Sequence, residues 1–183
     1  RIYYGLDLQL IIYLSAGMDI EIRQNPGKNI HPAGIFYYHI DDPVIDSEDS
    51  DGDTSVLDIM HKKLKLKGIV NNDARTIQLL DGSLGGKSMK SDIIPVGYNK
   101  DSGFDAASSV AAEEDFRNMM KYAETAAGHI RKDITGGDVK KSPYEYKDRT
   151  ACDYCAYSSI CSGGEKRRLK EVKMPDAFRG QII

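Results

Sequence analysis

The sequence predicts an α/β fold that ends in a helical segment carrying every cysteine of the chain. Two patterns lead there. Segments with apolar residues at helical spacing alternate with short aromatic, β-branched runs, and Cys152, Cys155 and Cys161 fall within ten residues of one another. With 183 residues, 40% of them hydrophobic, the chain can bury one ordinary core.

Taken in order, residues 3–16 (YYGLDLQLIIYLSA) are apolar almost all round, which suits a buried helix stopped by Gly17. Ile11 and Ile12 would also fit a strand. Residues 31–40 (HPAGIFYYHI) open with Pro32, close at Asp41-Asp42-Pro43, and read as a core strand. Residues 41–53 hold seven acids and no base, the composition of a solvated loop. A helical rhythm returns over 54–67 through Val56, Ile59, Met60 and Leu64, with Gly68 expected to end it.

Residues 74–80 fit a short helix or a strand equally well. Residues 81–91 are rich in Gly, Ser and Lys and are expected to be mobile. Residues 93–98 and a partner near Phe104 suggest a hairpin around residues 99–103. The clearest helix covers 110–134: Phe116, Met119, Met120, Ala123, Ala127, Ile130 and Ile134 share one face. Ser109 is its expected cap, Glu113 and Glu114 suit its positive end, and Gly136-Gly137 stop it. The organisation that follows is a main body over 1–165 and a basic tail over 166–183.

Charge and hydropathy exclude some classes. A formal charge of -3 and a pI near 5.8 leave no global attraction for nucleic acid, so a local patch would have to supply it. No apolar run approaches the roughly 18 residues that a membrane span needs, which predicts a soluble protein without a membrane partner. The first residue is Arg1, in what reads as the middle of a structured segment with no signal peptide. An excised piece of a longer protein is therefore expected.

The strongest chemical signal is Cys152-x2-Cys155-x5-Cys161. Thiols at this spacing can face one metal or cluster, and a remote fourth ligand would complete a [4Fe–4S] cluster or a tetrahedral Zn²⁺ site. Clustering of an odd number of cysteines argues against a secreted disulfide framework and for a cytoplasmic protein. No histidine stands nearby, the nearest being His129. A second signal is Gln9-x3-Tyr13, an i, i+4 pair whose polar tips can reach a common point. By itself it also fits an ordinary helix with one polar residue and a half-buried tyrosine.

Two other motifs fail. Gly86-Lys87-Ser88 ends like a phosphate-binding loop, but Asp81 occupies the first glycine position. The run Asp49-Ser50-Asp51-Gly52-Asp53 has its glycine misplaced for an EF-hand, and no Glu closes it. In the tail, Lys166, Arg167, Arg168, Lys170 and Lys173 could meet phosphates, although Glu165 and Glu171 interrupt them and a solvated helix face is the plainer reading.

Together the segments YGLDLQLIIYL (4–14), PAGIFYY (32–38), LKGIV (66–70), SPY (142–144) and ACDYCAYSSIC (151–161) resemble, in order, the nuclease domain of the bacterial AddB-type ATP-dependent helicase/deoxyribonuclease family. The likeness runs from about residue 3 to 163. It implies a partial restriction-endonuclease-like PD-(D/E)xK core. In such cores a carboxylate pair and a Lys bind Mg²⁺ and activate water against a DNA phosphodiester. Gln9 and Tyr13 match the accessory Gln-x3-Tyr element that orders the site. Cys152, Cys155 and Cys161 match three ligands of an iron–sulfur cluster whose fourth lies outside the chain.

The function implied is DNA exonuclease action within a helicase–nuclease complex that processes double-strand breaks for recombinational repair, with DNA and a second protein of that complex as partners. No D-x-K strand precedes Gln9. The chain alone is therefore expected neither to cut DNA nor to hold an intact [4Fe–4S] cluster or Mg²⁺ site, and to be capable of self-association. The alternatives are a CRISPR-associated-type exonuclease, a non-catalytic module stapled by Zn²⁺ that binds DNA or a protein partner, and a degenerate paralogue serving as scaffold.

Overall fold

A computed structural model of the chain describes residues 4–38, 40, 56–84, 89–100, 103–161 and 164–170. The acidic run over 41–53 and Gly86-Lys87-Ser88 lie outside the described residues. The chain divides into two compact units, one of residues 9–120 and one of residues 1–8 with 121–183.

The first unit opens with α1 (Gln9–Gln24). This helix starts later than the sequence suggests and runs straight through Gly17. The glycine that breaks the chain is Gly5, whose φ of +73° is open to glycine at little cost. Helical φ/ψ at Gly17 costs only about 1 kcal/mol relative to Ala, too little to stop a long helix. The expectation of a buried helix also fails in part. Ile11 is fully buried, whereas Ile12, Tyr13, Ile20 and Ile22 are exposed.

β1 (Gly34–Tyr37) follows and pairs antiparallel with β2 (Lys67–Asn71), which pairs parallel with β3 (Val110–Ala111). The helix before β2, α2 (Val56–Leu64), ends short of Gly68. Gly68 is not a helix stop but a strand residue opposite Phe36. A Cβ there would sit 2.0 Å from the Ile35 carbonyl oxygen, so only glycine lets the two backbones approach. Gly34 meets the same constraint, with the Ile69 carbonyl 2.8 Å from a hypothetical Cβ.

The undecided stretch 74–80 is helical: α3 (Ala74–Leu80), capped by Asp73, whose carboxylate accepts from the Thr76 amide at 2.8 Å and the Thr76 hydroxyl at 2.9 Å. Asn71, buried at the end of β2, donates to the Pro32 carbonyl at 2.8 Å and accepts from the Asp73 amide at 3.0 Å. It thereby ties the approach to β1 to the start of α3.

Val70, Ile77, Leu84, Ile94 and Val96 form the core of this unit, flanked by Phe36, Leu66, Leu80, Tyr98, Phe104 and Val110. Each fully buried aliphatic side chain contributes about 1.5–3 kcal/mol. Leu84 and Ser91 fall in the stretch expected to be mobile, yet both are buried. A polar network holds them: the buried Asp81 carboxylate accepts from the Ser83 amide (3.0 Å), the Ser83 hydroxyl (2.7 Å) and the Ser91 hydroxyl. The Ser91 oxygen in turn accepts from the Ile93 and Ile94 amides at 3.0 and 2.9 Å. The hairpin expected near Phe104 is reduced to single bridges, Tyr98 opposite Phe104 and Lys90 opposite Gly97, with the Tyr98 and Phe104 rings stacked at 5.3 Å.

The long helix is α4 (Glu113–Thr135). It begins three residues later than expected because Val110 and Ala111 are taken by β3. Ser109 is not its cap: its carbonyl accepts from Val70. Asp115 reaches back to the Ala112 amide at 3.1 Å instead. Of the expected face, Phe116, Met119 and Ala123 are buried while Ile130 and Ile134 are exposed. The stop at Gly136-Gly137 is a Schellman turn. Gly137 has φ +73°, its amide donates to Ile134, and the Asp138 amide donates to Asp133.

The second unit carries a small sheet. β4 (Tyr144–Tyr146) pairs antiparallel with β5 (Arg149–Thr150) and parallel with β6 (Arg167–Arg168). A 3₁₀ turn (Ala151–Tyr154) leaves β5. The basic residues Arg167 and Arg168 thus form a strand rather than a solvated helix face, because β4 offers them an edge to pair with.

Candidate functional site

Gln9 and Tyr13 occupy the first turns of α1, one helical turn apart, and their tips meet: the Gln9 amide Nε2 donates to the Tyr13 hydroxyl at 2.9 Å. Both side chains are exposed, Tyr13 at 62%, so this tyrosine is less covered than a half-buried ring. The bond fixes the plane of the Gln9 amide. Its Oε1 remains chemically an acceptor, suited to a water or another donor.

The three cysteines are free thiols. Cys152 is half-buried on the 3₁₀ turn, while Cys155 and Cys161 are exposed. The turn is built by a capping box. The Thr150 hydroxyl receives the Cys152 amide at 3.4 Å, and the Asp153 carboxylate receives the Thr150 amide at 2.9 Å. From there the chain winds on through Ser158-to-Cys155 and Cys161-to-Tyr157 backbone bonds. As donors, three thiols suit three corners of an iron–sulfur centre. Among the described residues, however, no three His, Cys, Asp or Glu side chains are gathered as a metal ion would need.

The well-placed carboxylates serve other ends. Asp73 caps α3, and bonds from the Thr76 amide and hydroxyl hold its carboxyl below the usual range. Glu113 accepts from the Arg117 guanidinium at 3.2 Å and pairs with His31, and these contacts, led by that of Arg117, hold its carboxyl low. The cleft they border is lined by His31, Asn71, Asp73, Arg75, Thr76 and Glu113 among others. A second cleft, in the cysteine-bearing unit, is lined by Leu6, Tyr144, Tyr146, Lys147, Arg149, Thr150 and Tyr154. Sequence reasoning missed both clefts. The alternating Tyr144-Glu145-Tyr146 followed by Lys147 and Arg149 was the available signal for the second.

The profile of the PD-(D/E)XK nuclease superfamily matches residues 1–162. The chain belongs to the PD-(D/E)XK nuclease superfamily. Its similar relatives include the AddB-type ATP-dependent helicase/deoxyribonuclease protein of Lachnoclostridium phytofermentans, 38% identical over 97% of this chain and 16% of that protein. The proteins of the same name from Bacillus cereus and Clostridioides difficile are 34% and 36% identical, over 97% and 88% of this chain and 16% and 14% of theirs. The chain thus spans about one-sixth of the length of the curated relatives it matches. Within this PD-(D/E)XK chain, the described residues contain no helix long and apolar enough to cross a membrane.

Proposed function

We propose that the chain forms part of the nuclease domain of a helicase–nuclease protein that cuts DNA during double-strand-break repair, with Gln9 and Tyr13 as positioning residues. The observation that carries this reading is the Gln9–Tyr13 hydrogen bond in a chain of the PD-(D/E)XK superfamily. An amide braced by a phenol presents one acceptor in a fixed direction, which orients a water or a side chain beside a scissile phosphodiester. Orientation errors of about 1 Å cost on the order of 10²-fold in rate. In nucleases of this chemistry a bound Mg²⁺ activates the attacking water and stabilises the charge that develops.

The same reading gives Cys152, Cys155 and Cys161 three corners of an iron–sulfur cluster, with the fourth ligand supplied from outside these residues, in a cytoplasmic protein that works with DNA and a second protein of the complex. The donor chemistry and the tight spacing support it. The same three thiols would also serve a structural Zn²⁺, the second reading, in which the chain is a stapled binding module. Iron with acid-labile sulfide in the purified protein supports the first reading, and zinc without sulfide supports the second.

The experiment exchanges this chain for the matching segment of the Lachnoclostridium phytofermentans protein and follows degradation of linear DNA with Mg²⁺. The expected result is a nuclease whose rate falls about 10²-fold in Gln9→Ala, and less in Tyr13→Phe, with DNA binding retained. The 183-residue chain alone is expected not to degrade DNA. An active chimera indifferent to Gln9→Ala overturns the positioning role, and an inactive chimera that folds and binds DNA overturns the nuclease reading.

A further inference from the structure

The β4–β5 hairpin carries a combination of side chains that neither the Gln9–Tyr13 pair nor the cysteines require. Its cleft, about 630 Å³ in volume, is walled by the rings of Tyr144, Tyr146 and Tyr154 and by the cations Lys147 and Arg149. Strand alternation explains the rings. Tyr144 and Tyr146 are two apart on β4, so they share one face. The turn explains the cations. Lys147 and Asp148 have φ of 50° and 60°, the geometry of a tight two-residue hairpin turn. Non-glycine residues in that conformation cost about 1 kcal/mol or more each. The turn sets the Lys147 ammonium 5.6 Å from the centre of the Tyr146 ring.

Beyond β4, the parallel strand β6 adds Arg167 and Arg168, the latter held 3.1 Å from Glu145. Residues 164–170 hold four cations and one acid, whereas the whole chain is net -3. Counted with residues 144–154, which carry Lys147 and Arg149 against Glu145, Asp148 and Asp153, the two segments hold six cations and four acids, a slight positive balance. Tyr154 is 90% exposed at the margin of the cleft.

We infer that this hairpin cleft is a binding site for single-stranded DNA, in which an unpaired base stacks on Tyr154 and its neighbouring tyrosines while Lys147, Arg149 and Arg167 meet the flanking phosphates. Aromatic faces reach bases only where the strand is unpaired, since in a duplex the faces are already stacked. Interleaved cations track the backbone, and the π-faces accept any base, so the site is indifferent to sequence. The inference rests on the reading that the chain handles DNA, and it assigns the strand-holding part of that task to the cysteine-bearing unit.

The test uses the 183-residue chain and a fluorescently labelled dT oligonucleotide in a binding titration, alongside an abasic oligonucleotide of equal length and a blunt duplex. The dT strand is expected to bind more tightly than the abasic strand. Tyr154→Ala is expected to weaken dT binding by roughly 5- to 150-fold, as for loss of one stacked base, while Tyr154→Phe retains it. Arg149→Gln is expected to weaken both strands and to lower the slope of log K against log salt by about 0.7. Tyr154 is exposed, so its removal leaves the fold intact, which an unchanged circular dichroism spectrum checks. Equal binding of dT and abasic strands, or a Tyr154→Ala chain that binds like the parent, overturns the site and leaves the nuclease reading standing. A chain that binds neither single-stranded nor duplex DNA overturns the site as well. The activity of the chimera then decides the nuclease reading separately.

Discussion

Replacing Ser91 with alanine removes a hydroxyl that joins Asp81 to the backbone of the next turn. In the parent, that hydroxyl donates to the buried Asp81 carboxylate and accepts from the amides of Ile93 and Ile94. A bond to a charged group contributes about 1.5–3 kcal/mol, and a buried amide left without a partner costs about 1–3 kcal/mol. With partial relaxation around Ile93, whose amide is the less enclosed of the two, the loss sums to about 3–5 kcal/mol. Against a total stability of about 5–15 kcal/mol this is a large fraction. At an m-value of about 2 kcal/mol/M, the urea midpoint should fall by about 2 M with the slope unchanged.

The pH dependence of that loss adds a second arm. Burial pushes the Asp81 carboxyl up, but the bonds from Ser91 and Ser83 and the nearby Lys65 ammonium outweigh it, so the group lies below its ordinary value. A carboxyl depressed in the folded state contributes stability that is fully present above its unfolded value and is lost as the pH falls through the folded one. The penalty of Ser91→Ala should therefore be largest at neutral pH and shrink in acid. A midpoint change worth under about 0.5 kcal/mol, or a penalty that grows as the pH falls, refutes the reasoning.

Two further substitutions probe the backbone. Gly68→Ala should cost about 2–4 kcal/mol and loosen the β1–β2 pair, measured as a fall in the urea midpoint, because its Cβ would press on the Ile35 carbonyl. Gly17→Ala should raise stability by about 0.5–1 kcal/mol in the same assay. Its helical backbone suits alanine, and nothing lies within 4 Å of the new methyl group.

What the sequence makes legible follows from how local each signal is. The Gln9–Tyr13 spacing, the strand expected over 31–40 and the apolar face expected from Phe116 to Ile134 each depend on neighbours within a turn or a pleat. The pair is in place, the strand is found only at Gly34–Tyr37 with Ile35 buried, and the face is buried at Phe116, Met119 and Ala123. Gly68 misleads because a glycine after an apolar run looks like a helix stop, whereas its cause is a backbone more than thirty positions away, at Ile35. The two described ends of the stretch 81–91 mislead for the same reason. The composition is that of a loop, and the bonds that hold Asp81 to Ser91 cross ten positions. The Lys147-Asp148 turn carries no glycine to announce it, so the hairpin and its aromatic cleft stay hidden. The cysteine cluster is plain, but spacing alone cannot give the positions of its sulfurs.

The close approach at Gly68 separates two kinds of intolerance that a mutational scan would merge. Any side chain at position 68 begins inside the space of the opposite strand, so substitutions larger than alanine should loosen the β1–β2 pair further than alanine does. Amide hydrogen exchange tells the cases apart. At position 68 the slow-exchanging amides of β1 and β2 should lose their protection, because the defect is local unfolding. At Gln9, exposed on the first turn of α1, those amides should stay protected while DNA degradation by the proposed chimera falls. In this domain, then, an intolerant glycine marks where two strands must touch, whereas an intolerant amide at Gln9 would mark the positioning role proposed for it.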